Sequence, residues 1–131
     1  VSQKFPFSKR LHRPEEFERV LRNKAITDKW LALHSTENTT GSNRLGIIVS
    51  KRVVAKSVAR NRIKRAIREV FRQSPLVEVD SLDFVIRLRR NLREEETMEF
   101  RRSLSRLLMK VRITKDDAPV LIPDKGLPVS D

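Results

Sequence analysis

The stretch at residues 57–73 constrains this chain more than any other. At 100° per residue, Ala59, Ile63, Ala66, Ile67, Val70 and Phe71 fall within about a third of a helical circumference, so the segment reads as a helix with one buried face. Arg60, Asn61, Lys64, Arg65, Arg68 and Arg72 occupy the adjoining arc, and Glu69 is the one carboxylate among them. Setting Arg60, Lys64, Arg68 and Arg72 four residues apart costs a few tenths of a kcal/mol for each like-charged pair. A helix that needed only solubility would interleave both signs. The pattern implies a polyanionic partner that offsets the repulsion.

The whole chain shares that bias. Its 131 residues hold 29 Lys plus Arg against 17 Asp plus Glu, a net charge of +12. That length suits one domain with a modest core, and that charge makes nucleic acid the default partner. A membrane role is set aside, because the longest apolar runs are short pieces such as residues 45–49, far below the roughly 20 residues that a spanning helix needs. The chain has no cysteine, which removes disulfides, thiolate nucleophiles and thiolate metal sites together. The first residues show no apolar signal-type core, and a cytoplasmic location is the expectation.

Residues 1–13 carry Lys4, Lys9, Arg10, His12 and Arg13 without a sustained apolar period and read as an extended basic arm. A helix is expected over residues 14–22, with Pro14 in its first turn, Glu15 and Glu16 at its positive end, and Phe17, Val20 and Leu21 on one apolar face. Strands are expected over residues 29–35 and 44–50 at hairpin distance, the second apolar enough for burial on both faces, and a third over residues 82–88. A last helix over residues 94–112 aligns Phe100, Leu104, Leu107, Leu108 and Val111, and residues 114–131 read as an irregular tail. The domain proper is then residues 14–113. The order helix, strand, strand, helix, strand, helix gives an α+β two-layer sandwich, with helices on one face of a small sheet and the other face partly free.

Little in the chain suggests catalysis by its own side chains. His12 and His34 are too few and too far apart for an acid–base pair or a metal site, and read as arm and strand surface. Glu94, Glu95 and Glu96 point in different directions on a helix and suit its first turn better than a metal. No catalytic or metal-binding residue is nominated.

Arg60-Asn61-Arg62, followed by Ile63-Lys64-Arg65-Ala66-Ile67-Arg68-Glu69, resembles the signature of the bacterial ribonuclease P protein. Arg44-Leu45-Gly46 and Val49-Ser50-Lys51-Arg52 match that family at the expected separation, as do Phe17-Glu18-Arg19-Val20 upstream, so the likeness covers residues 10–112. The resemblance implies a mainly antiparallel sheet similar to the second domain of ribosomal protein S5, with a left-handed βαβ crossover in place of the usual right-handed one. It implies that Arg60, Asn61, Arg62, Lys64, Arg65, Arg68 and Arg72 face a catalytic RNA, with Lys51, Arg52 and Lys56 extending the contact. It also implies a cleft between the first helix and the exposed sheet face that holds the 5′ leader of precursor tRNA. Phe17, Val20 and Leu21 map to the helix side of that cleft and Leu33 to the strand side. Arg89 joins the cleft set. Leu21 and Leu33 stand where family members often carry aromatics, and core packing is an equally open reading of the three helix residues. Trp30 has the opposite strand parity from Leu33, which places the two on different surfaces.

The expected function is that of the protein subunit of ribonuclease P, one copy per catalytic RNA, with no cofactor of its own; the RNA and its Mg2+ would cleave the leader. The alternative is a general structured-RNA-binding or ribosomal-type protein. A third reading, a protein nuclease, lacks the acid–base or metal-binding constellation it needs.

Overall fold

In a computed structural model of the chain, residues 10–74 and 81–116 are described, and the four-stranded sheet they form is organised around its third sequence run of apolar residues. The elements are α1 (Pro14–Leu21), β1 (Ile26–Thr27), β2 (Leu31–Glu37), β3 (Arg44–Ile48), α2 (Ser57–Arg72), β4 (Leu82–Leu88), a 3-10 turn (Glu94–Glu96) and α3 (Thr97–Asp116). The strand order is β1-β2-β4-β3. β2 pairs antiparallel with β1 and β4, while β3 pairs parallel with β4.

This arrangement corrects the expected hairpin. β2 and β3 are consecutive, yet β4 lies between them, with Leu33 opposite Ile86 and Gly46 opposite Val85. The reason is burial: Phe84, Val85 and Ile86 are fully shielded, so β4 is the strand that needs neighbours on both sides. β3 takes an edge instead, and its Ile47 and Ile48 are only half-buried. The double-sided burial expected of β3 therefore belongs to β4.

Alternation along the strands sends their side chains to two different layers. Leu31, Leu33, Leu45, Phe84, Ile86 and Leu88 join Ile67 and Phe71 of α2 and Phe100, Leu104 and Leu107 of α3 in the main core. Each such large side chain contributes about 1.5–3 kcal/mol by leaving water. Edge-on ring contacts, Phe71 with Phe84 and Trp30 with Phe100, close this layer. Trp30 joins the same core as Leu33 because it precedes the strand, where alternation does not govern it.

α1 packs on the opposite face, so the helices do not share one side of the sheet as expected. Val20, Leu11 and Val85 form a second small cluster there, with Phe17, Leu21 and Ile48 around it. His34 is on this face too and is buried, with Nδ1 2.8 Å from the Asn23 carbonyl oxygen. It is not the strand-surface residue expected.

Two devices fix α1. Glu16 Oε1 accepts the His12 and Arg13 backbone N–H groups at 2.8 and 3.1 Å, capping the helix start. Asp83, fully buried on β4, receives Arg44 Nε and Nη2 at 2.9 and 2.8 Å, Asn38 Nδ2 at 2.6 Å, and Arg19 of α1. Arg44 also reaches Glu16 Oε2 at 3.2 Å, so one buried carboxylate and one guanidinium tie α1 to β3 and β4.

α3 continues to Asp116, beyond the end expected near Arg112. The first nine residues read as a basic arm, residues 75–80, and the part of the expected tail from residue 117 lie outside the described residues. At the end of the arm, Arg10 bridges Leu45 in parallel and Leu11 N–H donates to the Leu45 carbonyl at 3.0 Å, which covers the free edge of β3.

Candidate nucleic-acid interface

α2 owes its position to Ile63, Ala66, Ile67, Val70 and Phe71, which bury the face read from its periodicity. Burying that face leaves the cationic arc outward. Asn61, Arg62 and Arg65 are exposed, as are Lys51, Arg52 and Lys56 on the segment that leads into the helix. Lys64, Arg68 and Arg72 are half-buried along its flanks. Among the described residues, Lys51, Arg52, Lys56, Arg62, Lys64, Arg65 and Arg68 form no salt bridge with a carboxylate. The first turn of α2 contains no acidic residue and no side-chain cap, so its free backbone N–H groups add to the positive potential.

Arg60 departs from the expected set. Its Nη1 donates to the Val54 and Ala55 carbonyls at 3.0 and 2.8 Å, which fastens the β3–α2 connection to the helix. Arg72 sits in the last turn, where its charge suits the negative end of the helix.

On the other side of the sheet edge, Phe17 meets Gly46. A recess of about 120 Å³ opens there, lined by Phe17, Gly46 and Leu11 together with Arg10, Lys64 and Arg68. It joins the two groups that the sequence treats separately, the α1 aromatic and the α2 cations. Burial, and then the positive charges of Arg10 and Arg65, hold the Arg68 pKa below the usual guanidinium range. Desolvated cations crowded together in this way favour an anion beside them.

The expected cleft residues do not all meet. Phe17 and Leu21 are half-buried beside the sheet, whereas Val20 is wholly buried beneath α1 and serves as core. Leu33 is 1% exposed in the α2–α3 core, on the far side of the sheet from Phe17, so it cannot line the cleft. Strand alternation gives the correction: Ala32, His34 and Thr36 point to the α1 side, and Leu33 does not. Arg89 is exposed past the end of β4 and donates to the Asp28 carbonyl. Arg87 is the cation that β4 places on the α1 side, and the sequence reading missed it. The alternation of Asp83, Val85 and Arg87 is the signal that would have found it.

Among the described residues no cluster of three or more His, Asp or Glu could hold a metal ion, and no helix is long and apolar enough to cross a membrane.

Known proteins are similar to this chain in architecture and in sequence. The family model for ribonuclease P matches residues 5–112. A ribonuclease P protein component from Nitrosomonas eutropha is 38% identical over 108 residues, covering 80% of this chain and 88% of that protein. One from Marinobacter nauticus is 33% identical over 110 residues, covering 82% of each. The solved Staphylococcus aureus RNase P protein superposes with a TM-score of 0.70 at 26% identity, over 79% of this chain and 95% of that one. A family model that spans most of the chain, relatives matched along most of their length and a matching fold converge: the chain belongs to the ribonuclease P protein family.

Proposed function

We propose that this chain is the protein subunit of ribonuclease P, binding the catalytic RNA through α2 and the 5′ leader of precursor tRNA beside α1. The observation that carries the reading is the row of cations on and before α2 that form no salt bridge among the described residues. Seven such side chains gather phosphates at a surface built by an otherwise ordinary amphipathic helix. Guanidinium groups such as Arg62 and Arg65 suit bidentate pairing with phosphate, and the lysines act as point charges.

In this reading the protein contributes no reacting group. The RNA and its Mg2+ perform the hydrolysis, and the protein neutralises phosphates and holds the leader in register with the cleavage site, a gain from positioning. Phe17, half-buried above the sheet edge with Arg10, Lys64 and Arg68 around the same recess, offers an apolar surface next to cations, as a single strand requires. One protein per catalytic RNA is the expected stoichiometry.

Reconstitution tests the proposal. With ribonuclease P RNA at low magnesium, the chain should stimulate cleavage of precursor tRNA at the mature 5′ end. Equal affinity for that RNA and for unrelated structured RNAs at matched salt would point instead to a general RNA-binding protein. Correct cleavage by the purified chain without RNA would establish a protein nuclease.

A further inference from the structure

A second pocket, of about 320 Å³, lies between α2 and the turn that enters α3. Its floor is apolar: Ile63, Ala66 and Phe100 are buried, and Ala59 and Leu92 pack against the same core. Four arginines stand on its rim, Arg62 and Arg65 on the α2 side and Arg93 and Arg101 opposite, where Arg93 is paired with Glu95 and Glu96. Two carboxylates share that rim, Glu94 and Glu69, and Arg101 holds Glu69 at 2.8 Å. Arg62 and Arg65 form no salt bridge among the described residues, although the charge of Arg65 is felt by Glu69. At the mouth, Asn91 Oδ1 accepts the Leu92 N–H at 2.8 Å, which orients its carboxamide.

Such a pocket asks for a flat group with apolar faces, hydrogen-bonding edges and an attached negative charge. A purely apolar peptide would leave the arginines unanswered, and a bare phosphate would leave the floor empty. We propose that this pocket receives one unstacked base of the RNA bound by α2, with the adjoining phosphate at Arg62 and Arg65; the proposal rests on the RNA-binding reading above. The rim arginines are continuous with the exposed cations of α2, so a strand that follows the helix reaches the pocket without leaving the cationic surface. Guanidinium planes and a side-chain amide are the groups that proteins use to hold splayed-out RNA bases.

Amide NMR of the full chain titrated with adenosine monophosphate, uridine monophosphate, ribose 5-phosphate and inorganic phosphate separates base from charge. The two nucleotides should shift Ala59, Leu92 and Thr97, and the two probes without a base should not. Equal shifts from ribose 5-phosphate, or none from any probe at millimolar concentration, would overturn the proposal. Filling the pocket with Ala59→Phe should lower affinity for ribonuclease P RNA about tenfold, the size of one stacked base. The salt dependence should keep its slope, because no phosphate contact is lost. Unchanged affinity in that variant, alongside preferential binding of this RNA by the parent chain, would remove the pocket and spare the RNA-binding reading. Loss of preference in the parent chain would remove that reading itself. Should Ala59→Phe not fold, Leu92→Ala and the nucleotide titration decide the question.

Discussion

The ring of Phe17 rests directly on the backbone of Gly46. A Cβ added at Gly46 would lie 2.5 Å from Phe17 Cε2, closer than packed carbons approach, and a tight 3.1 Å from Leu11 Cδ1. Glycine at this point of β3 thus lets α1 seat its aromatic against the sheet edge, and any larger residue must displace the Phe17 ring. Gly46→Ala should push Phe17 off its seat and destabilise the fold by about 1–3 kcal/mol, the usual cost of overpacking. A urea midpoint measures the loss, and a midpoint equal to that of the parent chain would show that Phe17 is not held there.

Phe17 itself is half-buried, which lets it serve the second cluster and still face a ligand. Phe17→Ala should weaken binding of leader-bearing precursor tRNA by about 1–3 kcal/mol if one base stacks on it. Mature tRNA should bind nearly as before. Equal losses for both ligands, measured on the reconstituted holoenzyme, would assign Phe17 to packing alone.

The arginines of α2 divide into two kinds that salt titration can tell apart. Arg65 and Arg68 form no salt bridge among the described residues, whereas Arg60 donates to the Val54 and Ala55 carbonyls. Replacing Arg65 and Arg68 together with alanine should reduce the slope of log K against log salt by about 1.4–1.8, from roughly 0.7–0.9 per phosphate contact. Thermal stability should stay close to that of the parent. Arg60→Ala should do the reverse, lowering the melting temperature with a smaller change in slope.

Local patterns made most of this legible in the sequence. The periodicity of Ile63, Ile67 and Phe71 located α2 and its cationic flank, and the apolar run at residues 82–88 matches β4 to the residue. What local pattern cannot carry is strand order. Apolar content alone did not reveal that β4 inserts between β2 and β3, or that α1 takes the opposite face of the sheet from α2 and α3. That second fact decides the side to which each strand residue belongs: it removes Leu33, which the resemblance assigns to the cleft, and brings in Arg87. The partners of Asp83 are hidden for the same reason, since Arg19 comes from α1, Asn38 from the β2–β3 connection and Arg44 from β3.

Asp83 is the residue through which α1, β3 and β4 are coupled. Its carboxylate is fully buried, so removing its charge leaves Arg44, itself only 19% exposed, without its principal partner. Asp83→Asn should cost about 3 kcal/mol, the lower end for a broken buried pair, because Arg19 is 40% exposed and can turn to water. Denaturant unfolding followed by circular dichroism checks the figure. A loss below about 1 kcal/mol would place the ion pair with ordinary surface bridges.

Glu16 gives the fold an acid-sensitive joint. The His12 and Arg13 backbone N–H groups, and then the charge of Arg44, hold its carboxyl below the ordinary value of 4.5. Because the folded pKa is the depressed one, the unfolded chain binds more protons in this range, and stability rises with pH. The contribution is complete above the unfolded value and disappears as pH falls through the folded one. Unfolding midpoints should therefore drop as pH is lowered below 4.5. In Glu16→Gln that drop should be shallower, and the variant should already be less stable at neutral pH, since the cap and the Arg44 contact are weakened in advance. Some acid dependence should persist, because Glu69 beside Arg101 and Glu96 on the Arg93 N–H are depressed in the same direction. A variant whose profile overlays that of the parent from pH 7 to about 3 would show that Glu16 does not couple the arm to α1.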